Sequence, residues 1–293
     1  EYVATEDHLQ YMILPRLAAL AECQWCNAET KSWNRFSAAA VRFCKMYEVM
    51  GYSYATHIFQ VKGDVVANPA EKSVTVALAT QGETPIRYTL DGTKPNKKSP
   101  VYTEPLVLTE SCVLTAMPVR NNVEPKCYTR KFDFHKAVGK KVTFSREVNT
   151  RYAQGGAVNL TDGVRATEVH KSIDWVSWRG DAVDLVVDME STEPYSSVSF
   201  GMLSNKSSRI FLPVKLAIAV SEDGVNYTEV ASQEYEEESK DAPDDKITEY
   251  SFSFPETSAR YIKVTGTPVD VLPEWHYNAG ARVYIYFDEI IVR

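Results

Sequence analysis

The chain has 293 residues, of which 44% are hydrophobic and 24% charged, an ordinary globular composition with room for two or three domains. A net charge of −7 and a pI of 5.4 argue against a nucleic-acid partner, which needs a basic face. No apolar run approaches the roughly eighteen residues of a membrane span.

The first predicted element covers residues 1–25. Leu9, Met12, Ile13, Leu17 and Leu20 recur at helical spacing, so one face must be buried. Pro15 stands inside the pattern, where it costs about 3 kcal/mol unless the packing is built for a kink. No strand precedes this helix for it to pack on, which points to the C-terminal part of something larger. Cys23-x-x-Cys26 has the spacing of a redox or metal pair, but it falls at a helix end with no second pair and no histidine at ligand spacing, so two plain thiols are the simpler reading. A second helix is predicted after Ser32, its cap, with Phe36, Ala40, Phe43, Tyr47 and Met50 as the core stripe and Gly51 as terminator.

Beyond residue 60 the helical periodicity stops. Residues 73–78, 86–90 and 113–116 alternate as strands, punctuated by Asp91-Gly92 and Asn121-Asn122. Residues 61–136 thus read as a small antiparallel sandwich. Cys112 and Cys127 flank a predicted hairpin and could be bridged or remain two thiols. Residues 137–293 read as a second β-rich domain, with strands at 183–187, 198–200, 216–220, 261–264 and 284–287. Ser221-Glu222-Asp223-Gly224 forms a tight hairpin, and the acidic stretch Glu234 to Lys246 forms a solvated loop.

Three resemblances follow from motifs along this order. Tyr11-Met12-x-x-Pro15-Arg16, continued by Ala19, Ala21, Glu22 and Trp25, resembles the last barrel helix of the family-20 glycoside hydrolases, the β-N-acetylhexosaminidases. Ile86-Arg87-Tyr88-Thr89-x-Asp91-Gly92-Thr93-x-Pro95 with Ser99-Pro100-x-Tyr102 is similar to the immunoglobulin-like chitobiase/β-hexosaminidase C-terminal module. Leu160-Thr161-Asp162-Gly163-x-Arg165, Trp175-x-x-Trp178-x-Gly180, Ile210-Phe211-x-Pro213, Ser221-x-Asp223-Gly224, Ala259 to Val264 and Phe287-Asp288-Glu289-Ile290 resemble the discoidin (F5/8 type C) fold. The implied fold is mainly β: two helices left over from a TIM barrel (1–60), an Ig-like sandwich spacer (61–136) and a discoidin-like jelly roll (137–293).

The resemblance implies a parent that is an extracytoplasmic (periplasmic, cell-surface or secreted) exo-β-N-acetylhexosaminidase with a substrate-assisted retaining mechanism. Its catalytic Asp-Glu pair would lie in the barrel strands that precede this chain, so the expected catalytic residues here are none. Asp288-Glu289 repeats those letters in the wrong domain. Glu1 falls where the family contacts the outer hydroxyls of the terminal sugar. The implied partners are the missing barrel and glycans ending in N-acetylhexosamine or galactose. Exposed aromatics stack on the C–H faces of sugars, which makes Trp178 with Arg179, and Trp275 with His276 and Tyr277, the carbohydrate-binding candidates. Tryptophan in a sandwich is equally a core residue, and Trp175 is read that way. Asp162, Glu289 and Thr167 are the candidate ligands of a structural calcium, although Asp162 could simply cap its turn and Glu289 pair with an arginine. The alternative to glycan binding is a purely structural or dimerising pair of modules.

Overall fold

The computed structural model describes residues 3–82, 84–119, 125–151 and 155–293. Glu1 and the Asn121-Asn122 turn lie outside the described residues. The chain divides into two compact units. One comprises Glu1–Val65, Val76–Leu106 and Val113–Thr129; the other comprises Val66–Thr75, Val107–Cys112 and Arg130–Arg293.

Three helices open the first unit: α1 (Glu6–Ile13), α2 (Arg16–Trp25) and α3 (Trp33–Met50). The expected kinked helix is two helices, because the residue before a proline is driven out of the helical region. Leu14 is extended, with φ −98° and ψ 135°. Arg16 donates to the carbonyls of Tyr11 (3.1 Å) and Met12 (2.7 Å), capping the end that Pro15 leaves open. Ser32 caps α3 by accepting from the Arg35 amide, and Gly51 ends it at φ 73°. Ala40 is buried as expected, but its buried neighbours are Ser37 and Cys44 rather than Phe36 and Phe43. Ser37, Ala40 and Cys44 are buried, Cys44 in a cluster with Tyr54 and Phe59, while Phe43 and Met50 are exposed. Neither α1 nor α2 buries a residue, and Leu9, Met12, Leu17, Leu20 and Trp25 stand exposed.

Six short strands follow: β1 (Lys62–Asn68), β2 (Ser73–Ala79), β3 (Ile86–Thr89), β4 (Leu106–Leu108), β5 (Cys112–Pro118) and β6 (Tyr128–Phe132). They form two three-stranded sheets, β1-β2-β4 and β3-β5-β6. Asp91 accepts from the Thr93 amide (3.0 Å) and hydroxyl (2.6 Å), which closes the predicted Asp-Gly turn. The Tyr102 hydroxyl accepts from the Leu78 amide at 3.0 Å, so this tyrosine serves the module's own backbone. None of the five cysteines is joined in a disulfide.

The second unit is built on β7 (Lys141–Phe144), β8 (Val176–Arg179), β9 (Val183–Ser204), β10 (Lys215–Ser221), β11 (Thr228–Glu234), β12 (Lys246–Thr267), β13 (Tyr284–Phe287) and β14 (Ile291–Val292). The sheet order is β11-β10-β12-β9-β13-β8, with β7 and β14 also pairing with β9. The five predicted strands lie inside these. β9 and β12 are each 22 residues long and pair with each other along most of their length. Their register breaks at Ser253/Thr257 and Ala259/Tyr261, opposite the polar run after Glu190, whose φ is 68°. Both halves of β9, Val183 to Met189 and Val198 to Met202, therefore face one core with Leu216, Ile218, Phe252, Ile262 and Val264. Alternation of apolar and polar residues puts them there.

The acidic stretch is more than a solvated loop. Lys206, 6% exposed, directs its ammonium at the carbonyls of Ser239 (3.2 Å), Lys240 (3.3 Å) and Ala242. Its amide donates to Asp244 (2.7 Å), and Glu238 accepts from Ser204 and Leu212. One lysine thus supplies the polar hydrogens that the loop carbonyls need once they leave water.

Candidate functional site

β13 carries a polar cluster at each end. Asp288 and Glu289 follow its last residue. Asp288 is 1% exposed, accepts from Arg165 Nε at 2.9 Å and Ala166 N at 3.4 Å, and is bonded by the Gly201 amide. Gly201 is needed here because a Cβ would lie 2.8 Å from the Asp288 carboxylate oxygens. Glu289 is fully buried and accepts from the amides of Asp162 (3.1 Å) and Gly163 (2.8 Å). His135 Nε2 lies 2.7 Å from Glu289 Oε1. The other ring nitrogen, Nδ1, accepts from the amides of Ala137 (3.2 Å) and Val292 (3.4 Å), which leaves the proton on Nε2 to be donated to Glu289. Burial pushes the Asp162 carboxyl up to about 8 and lowers His135 to about 3, so the imidazole donates as a neutral ring.

The calcium set does not fit this arrangement. Calcium takes about six to eight oxygens. Here three N–H donors converge on Glu289. The two oxygens of Asp162 accept from Val164 N (2.9 Å) and Asn159 Nδ2 (3.1 Å), and the Thr167 carbonyl accepts the Trp175 indole at 2.8 Å. Among the described residues no group of three or more His, Cys, Asp or Glu is placed to hold a metal. The cluster does structural work: its hydrogen bonds tie residues 133–138, the 160–165 turn and the C-terminal strand together.

The other end of β13 begins at Tyr284, where three loops meet. His276 is 6% exposed. Its Nε2 hydrogen-bonds the Lys206 carbonyl (2.8 Å) and its Nδ1 accepts from Asn278 N (3.0 Å), so both ring nitrogens are engaged. Tyr277 is 75% exposed, stacks on His276 with centroids 4.5 Å apart, and donates its hydroxyl to the Ser207 carbonyl at 2.7 Å. Trp275 is 36% exposed, with one flank against Phe211. His170 Nε2 contacts Ser208 Oγ at 3.5 Å, bringing in the 168–172 loop.

Trp178 is elsewhere. It is 1% exposed, packs edge-on against Phe144 (5.0 Å) and Phe287 (6.1 Å), and donates its indole N–H to the Arg146 carbonyl at 3.2 Å. It offers no face to a ligand, because β8 is buried on both sides: Ser177 is 1% exposed too. Its neighbour Arg179 is exposed and reaches the Tyr284 ring at 5.8 Å. Sequence reasoning missed Arg209, whose guanidinium lies 5.6 Å from the same ring. The signal for it was slight: Asn205 caps the short 206–208 helix and leaves Arg209 left-handed at φ 64°, in a polar turn between two apolar segments. Half-exposed aromatic faces beside guanidinium groups and turn carbonyls can stack on a sugar ring while hydrogen-bonding its substituents.

Residues 139–283 match the family described as F5/8 type C domain, and residues 76–132 match the family described as Fn3 associated. No curated protein matches the chain. Among solved structures, CpGH89CBM32-5 from Clostridium perfringens, in complex with GalNAc-beta-1,3-galactose, is 16% identical. The match covers 52% of this chain and 94% of that one, with a TM-score of 0.35. Chitosan-binding module 2 of a chitosanase/glucanase from Paenibacillus sp. IK-5, in complex with chitotriose, is 18% identical over 54% and 98% of the two chains, with a TM-score of 0.35. The chain is mainly β, with antiparallel sheets and few helices, and it contains an F5/8 type C domain.

Proposed function

We propose that the F5/8 type C domain binds carbohydrate at the Tyr284 end of β13, and that it anchors a glycoside hydrolase to glycans. The observation that carries this is the exposure of Trp275 and Tyr277 on a loop that bonds the 205–209 turn, whose Arg209 shares the Tyr284 ring with Arg179. Terminal N-acetylhexosamine or galactose is the proposed ligand. Trp275 and Tyr277 supply the stacking faces, Arg179 the polar contact, and His276 fixes the loop rather than touching the sugar.

The parent is proposed to be an extracytoplasmic family-20 β-N-acetylhexosaminidase, with α1 to α3 as the last helices of its barrel and residues 61–136 as an Ig-like spacer. The exposed apolar residues of α1 and α2 support this, since such a face is built to be covered. Among the described residues no helix is long and apolar enough to cross a membrane. Hydrolysis is assigned to the barrel. Asp288 and Glu289 are buried in internal hydrogen bonds, which supports a structural role for both. The same exposed helical face also favours a second reading, in which the modules only brace a neighbouring domain.

Titration of the full chain with neutral N-acetylhexosamine- and galactose-terminated oligosaccharides tests the proposal. Saturable binding that Trp275→Ala removes is expected. Absence of binding to every glycan would leave the bracing reading.

A further inference from the structure

Resting on that glycan-binding reading, we infer that the Tyr284 end of the domain recognises an anionic substituent of its glycan, a carboxylate or a sulfate ester held by Arg179 and Arg209. Most arginines of this domain are neutralised within it. Arg130 pairs with Asp174, Arg165 with Asp288, Arg260 with Asp188, Arg282 with Asp181 and Asp270, and Arg293 with Asp133. Arg179 and Arg209 differ: among the described residues neither has an acidic partner, although the chain carries a net charge of −7.

The topology places both cations within 6 Å of one ring, that of Tyr284. Tyr284 is the register partner of Arg179 across β8 and β13, and on its other side its amide donates to the Arg209 carbonyl at 2.8 Å. The strand segments flanking Tyr284 each contribute one arginine, and both guanidinium groups approach the same ring, at 5.8 and 5.6 Å. The ring faces attract the cations but satisfy none of their N–H donors. Two planar forks with free donors match the oxygens of a carboxylate or sulfate better than the isolated hydroxyls of a neutral sugar. Three acids near this end are already engaged: Asp181 by Arg282 and Arg146, Asp244 by the Lys206 amide and Asp245 by Asn205. The stacking residues are adjacent, since Tyr277 bonds Ser207, two positions before Arg209.

The test is calorimetric titration of the full chain with three oligosaccharides sharing one backbone: neutral, uronate-bearing and sulfated. At least one anionic form should bind about tenfold to a hundredfold tighter than the neutral one, the gain of a charge-assisted contact. The preference should fall as salt rises. Arg209→Gln should abolish it while leaving neutral-glycan affinity in place, and Arg179→Gln should abolish it while also weakening the neutral form, whose polar contact it removes. Arg179 is exposed, so its variant folds even if Arg209→Gln does not, with the circular dichroism spectrum as the check. The winning anionic form identifies carboxylate or sulfate. Equal binding of all three forms, or a preference that survives both substitutions, overturns the inference and leaves the glycan-binding reading standing. Failure of all three to bind overturns both.

Discussion

Replacing Asp288 with alanine should be among the most damaging single changes in the domain. The carboxylate is 1% exposed and Arg165 only 5%. Burial pushes the Asp288 carboxyl up in spite of the adjacent guanidinium, so the pair gains little over apolar residues of equal volume. Breaking it is another matter. Asp288→Ala strands the Arg165 guanidinium in the interior and also removes the acceptor of the Gly201 and Ala166 amides. An unpaired buried charge costs about 3–5 kcal/mol. Arg165 keeps weaker neighbours in Glu249 at 3.5 Å and Asp133 at 3.9 Å, which places the loss in the lower half of that range. For a domain of this size the corresponding fall in Tm is roughly 6–16 °C. Thermal unfolding followed by circular dichroism measures it. The double variant Arg165→Met/Asp288→Leu should recover much of the loss. A Tm for Asp288→Ala equal to that of the parent chain, or a double variant less stable than the single, would refute the reasoning.

Chelator should leave Tm unchanged, because N–H donors rather than a cation satisfy Glu289 and Asp162; a clear fall would restore calcium to that site. Arg260 donates two hydrogen bonds of 2.9 Å to Asp188 and holds its carboxyl below the usual 3.8. A depressed carboxylate contributes stability above its unfolded pKa and loses it as pH falls through the folded value. Asp188→Asn should therefore lower stability at neutral pH by a small amount, since the pair is partly exposed, and flatten the acid limb of a Tm-against-pH curve. Trp178→Ala should cost about 3–5 kcal/mol in denaturant unfolding, because a 1%-exposed indole leaves a cavity between Phe144 and Phe287.

Much of the second domain is legible from alternation alone. Residues 183–187, 216–220 and 261–264 read as strands because one face of each is apolar, and they are strands. The extent of β9 is not legible. Its middle, Glu190 to Tyr195, is polar and contains Pro194, so it reads as a loop; it pairs because the strand bends there around the edge of the core. In α3 the stripe Phe36, Ala40, Phe43, Tyr47 and Met50 suggested the buried face; Ala40 is buried, but the small Ser37 and Cys44 take the positions beside it, Cys44 packing with Tyr54 and Phe59. Trp178 and Trp275 look alike as sequence, each a tryptophan beside a basic residue. Only the burial of both faces of β8 separates them. Arg209 and Lys206 lie in a turn whose local pattern is merely polar, and their roles come from partners up to 75 residues away, Tyr284 and the 239–242 carbonyls.

The most direct test of the central claim is the affinity of the full chain for a glycan panel, measured side by side with Trp275→Ala and Trp178→Ala. Saturable binding by the parent that disappears in Trp275→Ala, with that variant's Tm intact, is the predicted result. Binding that survives Trp275→Ala, or no binding by the parent chain to any glycan, would contradict it.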